Sequence, residues 1–252
     1  MAHIIAVLNQ KGGVGKTTTT INLAAYLAKA GKTVLIVDAD PQGNATSGLG
    51  LDKQAEVTTY QVLLNIYKTE QGIQQSNVDG VYVLPANTNL AAAEAELIDQ
   101  PARETRLREA IVGLPFDYIL IDCPPALSLL TINALVAADW LLVPVQAEYY
   151  ALEGLGQLME VFQKVRETMN PGLNLLGVLV TMFDSRTSLA EQVVAELKKY
   201  FGDGVFKTQI PRNVKVAEAP SYGLPVSEHD KWSKGARAYK QFTKEVISRV
   251  EN

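Results

Sequence analysis

The stretch 3-HIIAVLNQKGGVGKTTTTINLAAYLAKAG-31 decides how the rest of the chain is read. Its first part, HIIAVL at 3 to 8, is an apolar run without polar alternation, as expected of a strand buried on both faces. Its last part, TTTINLAAYLAKAG at 18 to 31, has the pattern of a helix closed by Gly31. Between them lies a glycine-rich loop in which Gly15, Lys16 and Thr17 fit the end of the phosphate-loop pattern G-x-x-x-x-G-K-[ST]. The first glycine of that pattern falls at position 10, where the chain has Gln10, and a second lysine, Lys11, stands at the loop's entrance.

Strand, loop and helix in this order form the context that gives the pattern a mechanism. Gly12, Gly13 and Gly15 let backbone N–H groups curl around an anion, and the positive end of the following helix adds to the attraction. Lys16 is expected to bridge the β and γ phosphates, with the Thr17 hydroxyl on Mg²⁺. Lys16 thus takes the inward position, which leaves Lys11 free to reach outward. The bare Gly12-Gly13 crown lets another backbone approach closely.

Further strand-length runs follow: TVLIVD at 33 to 38, VYVLPA at 81 to 86, DYILID at 117 to 122, WLLVPV at 140 to 145 and LLGVLVTM at 175 to 182. Alternation of such runs with helical patterns predicts an α/β fold, a mostly parallel twisted sheet with helices on both faces. No Gly-, Ser- or Pro-rich linker divides the chain, so residues 1–252 are expected to form a single P-loop domain. The least regular part, 41 to 80, reads as PQGNATSGLGLDKQAEV followed by a short helix and a Gln-rich stretch, and this long connection is expected to be a mobile functional loop. The last segment places Ala236, Tyr239, Phe242, Val246, Ile247 and Val250 on one helical face, expected to pack on the sheet.

Two more acidic positions belong with the loop. Asp122 ends DYILID in the form of a Walker B carboxylate that holds magnesium through water. Asp38 and Asp40, in 37-VDADPQGNATSGLG-50, leave the second strand at the edge where ligands of open α/β sheets collect. Alternate residues there point to one side, so both carboxylates can face the phosphates, one supporting magnesium and the other orienting water. The alternative is a capping pair in a turn.

Composition narrows the class. The chain has 252 residues, 47% hydrophobic and 20% charged. The apolar run at 126 to 138 is too short to span a bilayer, and the N-terminus has no signal-peptide pattern, so a soluble protein is expected. One cysteine, Cys123, excludes an intramolecular disulfide and CxxC sites, fits a reducing cytoplasm, and reads as a buried apolar contact. His3 and His229 lack metal-ligand spacing. The net charge of −4 hides an asymmetry: residues 1 to 183 carry 11 Lys+Arg against 18 Asp+Glu, and 184 to 252 carry 12 against 9. An anionic partner would therefore meet the last quarter of the chain.

KGGVGKTT at 11 to 18, VDADPQGNATSGLG at 37 to 50, IDCPP at 121 to 125, PVQAEYYALEGL at 144 to 155 and IPRNVKVAEAPSYGLP at 210 to 225 together resemble the ParA/Soj chromosome- and plasmid-partitioning ATPases, within the deviant Walker A group that includes MinD. The resemblance runs nearly end to end. It implies that residues Lys11, Gly12, Gly13, Val14, Gly15, Lys16, Thr17 and Thr18 hold ATP, with Pro211 and Asn213 bordering the adenine. Lys11 matches the signature lysine, which crosses an ATP-sandwich homodimer to the other subunit's nucleotide. Asp40 matches the aspartate needed for hydrolysis, Thr17, Asp38 and Asp122 the magnesium-supporting positions, and Arg186 and Lys215 basic positions for non-specific double-stranded DNA. Where relatives can carry arginine at the last of these, lysine keeps the charge but loses the planar fork.

The implied function is an ATP-dependent DNA-partitioning switch, cytoplasmic and nucleoid-associated, whose slow hydrolysis is stimulated by a ParB/Spo0J-type centromere-binding protein. Adenine is expected over guanine, because 181-TMFD-184 keeps the Asp of the guanine motif N-K-x-D without its Asn and Lys. A MinD-like membrane-surface switch is the rival, and it wants a basic amphipathic C-terminal extension that RVEN does not supply. Cluster carriers and reductases on the same loop need cysteine ligands in numbers this chain lacks, and a small-molecule ATP-dependent synthetase is a third alternative.

Overall fold

The fold is given by a computed structural model that describes residues 2–148 and 153–251. The part of the 144–155 motif at positions 149–152 lies outside the described residues. Among the described residues, seven strands form one sheet: β1 (His3–Val7), β2 (Val34–Asp38), β3 (Gln74–Gln75), β4 (Val81–Leu84), β5 (Tyr118–Asp122), β6 (Trp140–Gln146) and β7 (Asn174–Thr181). Their order is β3-β4-β2-β5-β1-β6-β7, and every pairing except β3 with β4 is parallel.

All six strands expected from the apolar runs are present. β3 is the addition, two glutamines that pair antiparallel at the sheet edge.

The strands are buried on both faces, and their alternate residues feed two separate cores. From β1, Ile4 and Ala6 join a core with the helices Leu90–Leu97, Leu129–Ala137 and Ser188–Phe201. Ile5 and Val7 join the opposite core with the helices Lys16–Lys29 and Lys234–Glu251. Each Val, Ile or Leu side chain moved out of water stabilises the fold by about 1.5–3 kcal/mol, which explains the long apolar runs.

The terminal helix packs as its spacing predicts. Ala236, Tyr239, Phe242 and Val246 are buried, with Ile247 and Val250 partly buried against the same core. Its first turn is fixed closely: a Cβ added at Gly235 would lie 2.3 Å from Val216 Cγ2.

Residues 41–80 are more structured than the expected connection with one short helix and a Gln-rich stretch. They hold three short helices, Asn44–Gly48, Thr59–Leu63 and Thr69–Gly72, besides β3. Leu49, Val62 and Leu63 are buried, and Thr59 anchors the segment through N–H donation to the Pro85 carbonyl at 2.8 Å and Oγ1 donation to the Asp38 carbonyl at 2.7 Å. Short apolar stretches broken by polar residues had no clear period to read, yet each places one or two side chains in the core. Among the described residues, no helix is long and apolar enough to cross a membrane.

Candidate functional site: a phosphate loop at the sheet's carboxyl edge

Parallel pairing sets the ends of β1, β2 and β5 side by side. Val7 is in register with Asp122, and Asp122 with Asp38. The loop after β1 therefore emerges beside two carboxylates, at the edge where open α/β sheets bind ligands.

The loop turns into its helix at Gly15, whose φ of 89° lies in the left-handed region that glycine adopts without strain. The helix begins at Lys16, where the phosphate-loop pattern puts its start. Its N-terminus has no side-chain cap, so the first backbone N–H groups stay available to an anion. The loop is tied from outside. The Thr181 hydroxyl donates to the Val14 carbonyl at 2.7 Å, Asn9 Nδ2 to the Pro144 carbonyl at 2.7 Å, and the Lys11 N–H to Asn9 Oδ1 at 3.0 Å. A Cβ at Gly12 or Gly13 would meet no heavy atom within 4 Å, so the crown is open.

Lys16 is only 7% exposed and donates from Nζ to the Lys11 carbonyl at 3.2 Å. Burial lowers its pKa, while the charges of Asp122 and Asp40 act in the opposite sense. The ammonium thus sits inside the loop, poorly solvated and ready for phosphate oxygens. Lys11 points elsewhere: its Nζ is 3.1 Å from Glu148 Oε2, in a half-exposed ion pair.

Asp122 is wholly buried and receives two hydroxyls, Thr17 Oγ1 on Oδ2 at 2.7 Å and Thr20 Oγ1 on Oδ1 at 3.2 Å. Its pKa is nevertheless raised, first by burial and then by the negative charge of Asp38. Thr17 and Asp122 thereby stand together as a hydroxyl and a carboxylate, the donor types that magnesium takes beside phosphate oxygens. Among the described residues, no cluster of three or more His, Cys, Asp or Glu side chains could hold a metal unaided. This donor set suits a cation that arrives with a phosphate and completes its shell from phosphate and water oxygens.

Asp38 and Asp40 separate in role. Asp38 Oδ2 accepts from Thr46 N at 2.9 Å and Thr46 Oγ1 at 2.7 Å, and Oδ1 accepts from Asp40 N at 3.2 Å. Burial raises its pKa against these bonds. Both oxygens are thus engaged by the segment after β2, the turn-capping alternative. Asp40 Oδ1 accepts from Gln42 N at 2.9 Å, which leaves Oδ2 with no hydrogen-bond partner among the described residues.

The late positions are placed around the same edge. Ile210 N donates to the Val180 carbonyl at 2.9 Å, and Phe183 bridges Pro211, so 210–212 runs beside the extension of β7. Asn213 caps the helix Val214–Glu218 by accepting from Val216 N at 3.2 Å. Arg186 is 86% exposed but forks onto Asp184, and that bond holds Asp184 well below the usual carboxylate range. Lys215 Nζ pairs with Glu218 at 2.9 Å. Cys123 is buried, and burial pushes its thiol pKa up. His3 and His229 pack against Tyr118 and Tyr222, with ring centroids 5.3 and 4.7 Å apart.

Four side chains escaped the sequence reading: Thr20 and Thr46 on the carboxylates, Thr181 on the loop and Glu148 on Lys11. Thr20 belongs to the TTTT run, one helical turn after Lys16, and was accessible by spacing. The other three depend on contacts the chain order does not announce.

Comparison with known proteins extends these observations. Residues 2–175 match the family model described as an AAA domain. The chain is 52% identical over 251 residues to the sporulation initiation inhibitor protein Soj of Bacillus subtilis, covering 98% of this chain and 99% of that one. It is 54% identical over 247 residues to the chromosome-partitioning ATPase Soj of Thermus thermophilus, covering 98% and 96%. Among solved structures, cobyrinic acid a,c-diamide synthase from Mycobacterium smegmatis with bound ADP and magnesium superposes with a TM-score of 0.89 at 37% identity, covering 100% and 96%. The phosphate loop, its buried carboxylates and near full-length identity to two Soj proteins agree, and the chain belongs to the ParA/Soj family of chromosome-partitioning P-loop ATPases.

Proposed function

We propose that the chain, acting as one P-loop unit, is a magnesium-dependent ATPase that switches its hold on double-stranded DNA. The observation that carries the reading is the division of labour between two lysines. Lys16 is buried inside the loop, whereas Lys11 lies outside it beside an open glycine crown. Such a site has its own cation for the phosphates and presents a second one to a partner copy.

In this reading Lys16 and the N–H groups of residues 12–18 hold the phosphates, including those of Val14 and Thr18. Pro211 and Asn213 border the adenine. Thr17 ligates Mg²⁺, and Asp122 orients its water shell. Solved relatives with ADP or an ATP analogue and magnesium support this pairing of cofactors. Asp40, with one oxygen unengaged, orients the attacking water. Asp38 acts from behind, holding Thr46 and adding negative charge beside Asp122.

ATP favours a face-to-face homodimer, because the γ phosphate gives a partner's Lys11 its main differential contact. The dimer binds DNA without reading sequence, with Arg186 and Lys215 among the contacts, and a ParB/Spo0J-type protein accelerates hydrolysis and release. This places the protein on the nucleoid in the cytoplasm.

The test compares DNA binding with ATP, with ADP, and in Asp40→Ala. ATP-dependent binding is expected to persist in the variant while phosphate release stops. Affinity for DNA indifferent to the nucleotide defeats the reading. Lys11→Ala is expected to spare ATP binding by the monomer and to impair dimer closure and hydrolysis. Recruitment by ATP to liposomes and not to DNA would favour the membrane-surface alternative.

A further inference from the structure

The two basic positions named so far are neutralised within the chain, Arg186 by Asp184 and Lys215 by Glu218. The unneutralised charge lies elsewhere. A groove of about 400 Å³ separates the end of the helix Lys16–Lys29 from the helix Lys234–Glu251. It is lined by Lys29, Lys231, Lys240 and Lys244, with the Trp232 ring 77% exposed at its mouth. Lys29 is paired with Glu228 at 2.8 Å. Lys231, Lys240 and Lys244 have no carboxylate within ion-pair distance among the described residues, and Lys231 Nζ lies 5.3 Å from the Trp232 ring centroid.

The helix itself keeps this arrangement against its own interest. Residues 234–244 contain no Asp or Glu, so Lys234 and Arg237 face the positive end of the helix dipole. Lys240 and Lys244 are like charges one turn apart, a pairing that weakens a helix. Cations spaced along one exposed face, unscreened by acids, with an aromatic ring beside them, match the electrostatic footprint of a phosphodiester backbone. Between these cations the groove is walled by Tyr26 and Ala30 on one side and Thr243 and Ile247 on the other.

We infer that this groove, through Lys231, Lys240 and Lys244, is a principal phosphate-contact surface for duplex DNA, with Trp232 packing against the backbone. The inference rests on the DNA-binding reading above. The contacts are spread along the strand and carry no sequence preference.

The experiment measures ATP-dependent binding to random-sequence duplex over a salt series, for the wild type, for Lys231→Ala/Lys240→Ala/Lys244→Ala, and for the three Lys→Arg changes together. Removing three phosphate contacts per subunit is expected to shrink the slope of log K against log salt by about 2.7 for each subunit that lies on the duplex. The arginine variant keeps the slope, and basal ATP hydrolysis stays unchanged in both, which reports intact folding. A wild-type slope in the alanine variant overturns the groove and leaves the switch reading standing. A wild type that binds no DNA with either nucleotide removes both. Binding to vesicles of anionic phospholipid that the alanine variant loses, without binding to DNA, overturns DNA as the occupant.

Discussion

At the carboxyl edge of β1, β2 and β5, a single lysine and three carboxylates are packed almost out of water. Lys16 and Asp40 are 7% and 8% exposed, and Asp38 and Asp122 are wholly buried. Along the first turns of the terminal helix, Lys240 and Lys244 stand in solvent without partners. Both regions are suited to phosphate, but they reach it by opposite means. The edge pre-positions a few groups in a low-dielectric setting, where each interaction is strong and misplacement is costly. The helix spreads many weak contacts over a surface, where each is screened and replaceable. A change at the edge should therefore be felt in chemistry, and a change on the helix in affinity and salt dependence.

The sharpest way to break that contrast is Lys16→Ala. If the edge depends on one buried cation, ATP hydrolysis falls by at least ~10²-fold, the scale seen when a preorganised electrostatic donor is removed. Far-ultraviolet circular dichroism should remain that of the folded protein. Residual hydrolysis within a few-fold of the wild type would mean that the loop's N–H groups suffice, and the edge would then resemble the helix in its redundancy.

Next in size is Gly235→Ala, which probes the junction between the two regions. The new methyl would sit 2.3 Å from Val216 Cγ2 and 3.3 Å from Asn213 Cβ. Relief requires the terminal helix to move away from the segment that carries Asn213. Overpacking of this kind costs about 1–3 kcal/mol, to be read as a lower midpoint in urea. A midpoint matching the wild type would show that the junction is loose.

The two regions also differ in how much of them the sequence disclosed. Lys16, Thr17 and Asp122 were readable because phosphate geometry fixes the spacing of a loop lysine, its neighbouring hydroxyl and a strand-end carboxylate. Six of seven strands were readable because parallel strands buried on both faces cannot alternate. Gln74–Gln75 was not, since an edge pair of two residues needs no apolar side chain. Glu148 beside Lys11, Thr181 beside Val14 and Thr46 beside Asp38 are products of tertiary juxtaposition, two of them across more than 130 residues. The groove lysines were visible only as a charge excess, because solvated cations on a helix have no spacing rule tied to their partner.

The smallest predicted effect concerns pH and separates buried carboxylates from exposed cations by stability alone. Burial raises the folded-state pKa of both Asp122 and Asp38 above the ordinary carboxylate value; the negative charges of Asp38 and Asp40 add to the Asp122 shift, and that of Asp40 to the Asp38 shift. A raised carboxylate binds more protons in the folded state than in the unfolded chain. Its stabilising protonation is complete below the unfolded pKa near ~3.9, and is lost as pH rises toward the folded pKa. The nucleotide-free protein should therefore lose stability as pH climbs from the ordinary carboxylate range toward neutrality, by at most ~1.4 kcal/mol per pH unit for each such group. Asp122→Asn removes one of the two titrations and the charge that opposes Asp38, while its amide oxygen can still accept from one of the two threonine hydroxyls and its NH2 can donate to the oxygen of the other. Its urea midpoint should fall less steeply with pH than that of the wild type and exceed it at the alkaline end. Lys240→Ala, on the exposed helix, should leave the wild-type pH slope unchanged. If Asp122→Asn and wild type fall in parallel, the carboxylate at the end of β5 is already ionised and compensated in the free protein, and the strong interactions assigned to this edge do not arise from burial.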